Sequence, residues 1–231
     1  VKYNPVKNVL HFSGVPTKKR GALSAEEIEK IFPENHDQLM SLWKSQLYLT
    51  AFLVLKDTGL RPGELRALQW KDWDRDLRFF PITKAIEANT RVKIKSTKTG
   101  ICKPAIVSEF TAQEIDRLKN SKPAALPEDF IFAHETGKPV SDSILSFHFK
   151  EGLRGAGINR TDVTPYWLRH TFNTRMLETL PDKAVRVLMG HRTVAMTQYY
   201  RDATVASLKR EAQKIINMLD VTSNISVAAA A

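Results

Sequence analysis

Five short motifs carry side chains suited to one kind of reaction. Arg61 stands in TGLRPGEL, Lys98 in STKTG, Arg169 in YWLRHTF and His191 in LMGHRTV, and a Tyr199-Tyr200 pair follows. Two guanidiniums, an ammonium, an imidazole and a phenol are what metal-free attack on a phosphodiester requires. The guanidiniums grip the non-bridging oxygens as bidentate donors. The ammonium protonates the departing oxygen, and the phenol is the nucleophile. Attack adds negative charge to a five-coordinate phosphorus, so fixed cations aimed at that charge are a large catalytic contribution where no metal takes part.

Each of these groups needs an element to hold it. Arg61 falls between Gly59, read as a left-handed helix cap, and Pro62, suited to a first helical turn, so it projects from the junction of two helices. Thr164 and Pro165 read as the N-cap and first turn of a helix running to about Leu180. Trp167, Leu168 and Phe172 make that helix largely internal, and a buried Arg169 then requires an anionic partner, for which Glu64 is the candidate. His191 follows a Gly190 cap. Tyr199 and Tyr200 differ by about 100° around a helix, so only one of them can face a phosphate. Lys98 is placed at the tip of a hairpin whose turn is Thr99-Gly100. Lys95 and Lys103 lie near enough to compete for its role. A lysine among other cations has a lowered pKa, which aids proton release.

The rest of the pattern predicts a mainly α chain with a small antiparallel β-sheet, an α+β class. Ser24 and Glu27 form a capping box before Ile28 and Ile31. Residues 37–58 read as one long buried helix, followed by a short helix from Pro62 to about Leu68. Segments 77–82, 92–96 and 104–107 alternate as strands, with the turn between the last two. Thr111 and Glu114 read as a second capping box for a helix to about Leu118, and 130–132 as a short strand. Helices follow over 141–153, 181–190, 194–200 and 205–219, in addition to the one at Thr164.

At 231 residues the chain suits one well-packed domain. A net charge of +10 points to a polyanionic partner. Lys18, Lys19 and Arg20 form a basic cluster. Arg91, Lys93 and Lys95 alternate with Val92 and Ile94, which puts three cations on one strand face. Such a face suits a DNA backbone, where each neutralised phosphate releases counterions. Cys102 is the only cysteine, so no intrachain disulfide forms, as expected for a cytoplasmic protein. No apolar run is long enough to span a bilayer, so no membrane partner is expected. Neither a Gly-rich phosphate loop nor an acidic metal cluster is present in the sequence, so neither a cofactor nor a metal is expected.

In order and spacing, these motifs resemble the catalytic domain of the tyrosine recombinases, the phage integrase family, over about residues 23–219. The resemblance implies the tyrosine-recombinase catalytic-domain fold. It gives Arg61 and Arg169 to the scissile phosphate, Lys98 to the departing 5′ oxygen and His191 to the phosphate or the nucleophile. Glu64 orients the active-site arginine. Spacing from His191 selects Tyr200, nine residues later, over Tyr199. One position departs from the pattern: Tyr166 stands where the family usually has the histidine of HxxR. A phenol donates a hydrogen bond to a phosphate oxygen but, with a reference pKa of about 10, takes no proton near neutrality. His170 is expected to be structural.

The function so implied is site-specific recombination of double-stranded DNA by an integrase of a mobile element. It proceeds through a 3′-phosphotyrosyl link without ATP, as a tetramer on DNA. A type IB topoisomerase-like enzyme and a catalytically weak DNA-binding module of the same fold are the alternatives. The expected organisation has four parts. Residues 1–22 are a linker from a missing N-terminal DNA-binding domain, and 23–203 are the catalytic domain. Residues 204–220 form a C-terminal helix that docks on its own or a neighbouring protomer, and 221–231 are a tail.

Overall fold

The computed structural model describes residues 21–87, 93–96, 103–179 and 185. Seven α-helices, one short 3-10 helix (Trp70–Asp72) and four strands lie in these segments: α1 (Ala25–Ile31), α2 (His36–Trp43), α3 (Gln46–Thr58), α4 (Pro62–Arg66), β1 (Phe79–Ile82), β2 (Lys84–Ile86), β3 (Ile94–Ser96), β4 (Lys103–Ile106), α5 (Glu109–Asn120), α6 (Asp142–Gly155) and α7 (Tyr166–Thr179). The arrangement is mainly α with small antiparallel β ladders, as expected. Among the described residues no helix is long and apolar enough to cross a membrane.

The centre of the fold is α3. Tyr48 through Leu55 and Thr58 are all buried, so the helix is enclosed nearly all round. It packs on α2, α4, α5, α6, α7 and β4. The sequence predicts one helix over 37–58, and the structure has two. Lys44 adopts a left-handed conformation with φ 55°, its N–H donating to the Met40 carbonyl, and Ser45 opens α3. The break aims Trp43 inward. Its ring centroid lies 4.7 Å from that of Phe52 and 6.1 Å from that of Phe149. Its indole N–H donates to the Ile31 carbonyl at 3.0 Å. Apolar residues on both sides of the break serve the same core, so the periodicity runs through it unmarked.

The strands also pair differently from expectation. The predicted hairpin would join 92–96 to 104–107. Instead β1 pairs with β4, from Phe79↔Ile106 to Ile82↔Lys103. A separate ladder joins β2 to β3, from Lys84↔Ser96 to Ile86↔Ile94. Both later strands therefore lie along the 79–86 segment. Only Thr83 separates β1 from β2, whereas 97–102, with Lys98, separates β3 from β4 and lies outside the described residues. Alternation shows which residues share a face of a strand but not which strand is the neighbour.

The α1 capping box is present, with Ser24 Oγ accepting from the Glu27 N–H and the Glu27 carboxylate accepting from the Ser24 N–H. The second predicted box is not. The N-cap of α5 is Ser108, whose hydroxyl accepts from the Thr111 N–H at 3.2 Å. Glu114 instead points into the fold, where Gln46 Nε2 donates to it at 2.9 Å and His36 Nδ1 lies 3.0 Å away. Tertiary partners claim the carboxylate that a box would have used. Residues 130–132 contribute a single bridge, Gln69↔Phe130, in place of a strand.

Candidate active site

The α3–α4 corner builds the site. Gly59 ends α3 in the left-handed region at φ 59°, its N–H donating to the Leu55 carbonyl at 3.0 Å. Arg61 is extended and opens α4. Glu64 holds it twice: Oε2 accepts the Arg61 backbone N–H at 2.9 Å, and Oε1 accepts from Arg61 Nη1 at 2.9 Å. The Glu64 side chain is 6% exposed and that of Arg61 47%, so the carboxylate is the anchor and the guanidinium opens to solvent. The helix itself sits hard on β2. A Cβ added to Gly63 would lie 2.4 Å from the Ile86 carbonyl oxygen, a contact that backbone atoms cannot relieve by rotating.

Arg169 arrives from α7. It is buried, and its Nη1 donates to the Gly59 carbonyl at 2.6 Å. The last carbonyls of a helix lack intrahelical donors and carry partial negative charge. Arg169 thus caps α3 with a full cation. Tyr166, one turn earlier, hydrogen-bonds its side chain to that of Arg169. An arginine has only donors, so the phenol oxygen accepts. The Tyr166 and His170 rings lie 5.2 Å apart.

The expected pairing of Arg169 with Glu64 is replaced by another. Glu64 accepts from Arg61 and from Lys103, whose Nζ donates to Oε2 at 2.6 Å, while its pull on Arg169 acts through space. At the end of α3 Arg169 finds a helix carbonyl as an acceptor. Burial pushes the Arg169 guanidinium below its usual range and Arg61 adds to this, with Glu64 and Tyr166 opposing; an arginine so shifted remains charged at neutral pH. Burial also drives Lys103 down to about 8 against the pull of Glu64, with Arg169 and Arg61 adding to the fall. Burial acts to raise Glu64, but Lys103 and the Arg61 N–H and charge outweigh it and hold the carboxyl below the usual range.

Arg61, Glu64, Tyr166 and Arg169 are therefore gathered at one corner. Lys93, just before β3, and Lys95, on it, are exposed, and Lys95 forms an ion pair with Glu87. Lys98, His191, Tyr199, Tyr200, Lys18, Lys19, Arg20 and Arg91 lie outside the described residues, as do the linker and the 205–219 segment. The residue that sequence reasoning undervalued is Lys103, named only as a rival proton donor. Its place in a strand where all four residues are buried has no local signal.

Asp57, near the end of α3, makes a related prediction. It accepts from the Ser108 N–H at 2.9 Å, the Ser108 hydroxyl at 2.8 Å and the Thr111 hydroxyl at 2.6 Å. Burial acts to raise its pKa, but Lys56 and these donors prevail and hold it below the ordinary value. A carboxylate so shifted binds fewer protons folded than unfolded. It stabilises the fold above the unfolded value of about 4, and that stability is lost as pH falls through the folded value. Glu64 has the same sign. The melting temperature is expected to drop below about pH 4 and to drop less in Asp57→Asn. Equal acid sensitivity in the two proteins would count against this role.

Comparison with known proteins places the corner in context. Residues 22–207 match the model described as the phage integrase family. The chain is 29% identical over 196 residues to the tyrosine recombinase XerC of Shewanella amazonensis, covering 80% of this chain and 62% of the relative. It is 28% identical over 206 residues to the tyrosine recombinase XerA of Thermococcus onnurineus, covering 87% and 64%. Against the transposase from transposon Tn916 of Enterococcus faecalis it is 27% identical over 209 residues, covering 84% and 48%. The chain thus spans roughly half to under two thirds of the length of these relatives. A Tn1549 transposon integrase solved with transposon right end DNA superposes with a TM-score of 0.66 at 24% identity, over 93% of this chain and 72% of that one. A XerA recombinase crystal structure gives 0.61 at 20% identity, over 87% and 65%. Those two likenesses speak for the fold, whereas the family model spans most of the sequence, including the segments that carry the corner; on that match, the chain belongs to the phage integrase family.

Proposed function

We propose that this chain is the catalytic part of a site-specific DNA recombinase of a mobile element, cutting and rejoining strands through a phosphotyrosyl intermediate. The observation that carries the reading is the convergence of Arg61 and Arg169. One comes from the α3–α4 corner and the other from α7, and both are held in place before any anion arrives. With Lys103 they outnumber the one carboxylate among them, Glu64, so the cluster keeps an excess of positive charge. Cations pre-organised in this way stabilise charge that develops on a phosphate without reorganising.

The scissile phosphate sits at the exposed guanidinium of Arg61. Tyr200 attacks phosphorus as its phenolic proton passes to solvent, a new bond forms between phosphorus and the phenolic oxygen, and the bond to the 5′ oxygen breaks. Lys98 protonates that oxygen. The phosphotyrosyl ester conserves the bond energy, so the 5′-hydroxyl of a partner strand can reverse the step without ATP. Tyr166 accepts from Arg169, and its own hydrogen is the kind a phosphate oxygen takes. His191 adds a further donor to the phosphate. Lys93, with Lys18, Lys19, Arg20, Arg91 and Lys95, follows the duplex backbone. Four copies assemble on paired DNA sites in the cytoplasm. Relatives named as recombinases and a transposase support this reading.

The test is a nicked suicide duplex drawn from DNA flanking the gene. Wild-type protein is expected to form an SDS-stable adduct mapping to Tyr200, absent in Tyr200→Phe and retained in Tyr199→Phe. An adduct lost in Tyr199→Phe and kept in Tyr200→Phe moves the nucleophile to Tyr199. DNA binding with no adduct in any protein leaves a binding module and overturns the enzymatic reading. Adducts without joining between two marked duplexes would favour the topoisomerase-like alternative.

A further inference from the structure

In the mechanism above Lys103 only adds to the positive charge of the cluster, yet it is hydrogen-bonded to the carboxylate at the centre of the site. It is 3% exposed, too deep to reach a leaving oxygen. Its Nζ donates to Glu64 Oε2, the same oxygen that accepts the Arg61 backbone N–H; the other oxygen takes Arg61 Nη1. The carboxylate is therefore fixed from the β4 side by an ammonium and grips both the main chain and the side chain of Arg61 on the other. Without that ammonium, a buried carboxylate would have only Arg61 as a direct hydrogen-bonded cation and would draw its guanidinium inward.

We propose that Lys103 is a positioning residue for strand cleavage, setting the place of the Arg61 guanidinium through Glu64. This rests on the DNA-cleaving reading above and extends it. The β1–β4 ladder, and not only the helical corner, then determines how the phosphate is held. β4 is pinned by its pairing with β1, with Lys103 opposite Ile82. The charged groups acting on Lys103 are Glu64 and Arg61 from α4 and Arg169 from α7, and β1 offers no titratable side chain over Phe79–Ile82. Its ammonium titrates at about 8, so its hold on Glu64 weakens as pH rises through that value. An anion bound at the arginines favours the charged lysine and shifts that loss upward.

Single-turnover cleavage of the suicide duplex, equilibrium DNA binding and thermal melting are measured for wild type, Lys103→Met, Glu64→Gln and the double variant. Lys103→Met is expected to cleave about 10- to 100-fold more slowly, as small misplacements of a reacting group do, with noncovalent affinity nearly unchanged. The double variant should be no slower than the slower single variant, since both act through one contact. Lys103→Arg should restore part of the rate. The alkaline decline of the wild-type rate, displaced above about pH 8 by the bound phosphate, should be absent in Lys103→Met. Cleavage by Lys103→Met within about twofold of wild type, or losses that multiply in the double variant, would overturn the proposal. If Lys103→Met does not fold, the double variant decides, because it removes both charges of the buried pair. A rate equal to that of Glu64→Gln supports the proposal, and a further loss of about tenfold overturns it. A wild-type protein that forms no adduct sinks the DNA-cleaving reading and this one with it. A wild-type adduct with unaffected variants sinks this one alone.

Discussion

Arg169→Ala is expected to slow adduct formation by about 10²- to 10³-fold, the usual cost of deleting one pre-organised donor to a developing oxyanion. The loss should appear in the single-turnover rate far more than in DNA affinity. Affinity for a duplex is spread over many phosphate contacts, whereas charge at one phosphorus is met by few groups. Arg169→Lys should recover little. The guanidinium donates to the Gly59 carbonyl through Nη1 and to the Tyr166 oxygen, and its planar fork can present several donors at fixed angles. An ammonium is a point charge on a shorter reach and cannot hold those partners and a phosphate together. A modest stability loss of about 1 kcal/mol is also expected, because the α3 cap carbonyl loses its cation. Melting curves separate this from the catalytic effect. An Arg169→Ala rate within about tenfold of wild type would refute the assignment.

Gly59→Ala is expected to destabilise the fold by about 2–4 kcal/mol, combining left-handed strain with overpacking. Its φ of 59° is costly for any residue with a Cβ, and that Cβ would lie 2.6 Å from Phe172 Cδ1, 3.0 Å from Cγ and 3.2 Å from Cβ. The last distance matters most, because rotating the ring does not move the root of the side chain. Relief requires α7 to withdraw, and α7 carries Arg169. Activity should therefore fall even below the melting temperature. Gly137→Ala is the control. Gly137 has φ 76° but nothing within 4 Å of an added Cβ, so it should cost only the strain of about 1 kcal/mol. Chemical denaturation measures both. Equal losses at the two glycines would show that the Phe172 contact is easily relieved.

These two variants probe the same object from two sides. Gly59 brings α3 and α7 close enough for its carbonyl to meet Arg169, and the residue after next is Arg61. Strain in the corner and alignment of the arginines are thus mechanically linked.

What the sequence determined by itself is local. The Ser24–Glu27 box, the left-handed Gly59 cap, the Pro62 start of α4 and the α7 start just after Pro165 each depend on φ values or hydrogen bonds spanning at most four residues. The order of chemical groups is local in the same sense, and it sufficed to indicate the family. The tertiary structure decided the rest. It broke the 37–58 helix at Lys44 so that Trp43 could enter the core. It paired β4 with β1 and moved the α5 cap to Ser108. It gave Glu64 to Lys103 and Arg169 to the Gly59 carbonyl. Each of these outcomes is a competition among partners distant in sequence for one buried acceptor or one space. Which partner wins depends on how the elements pack, and no window of neighbouring residues contains that information.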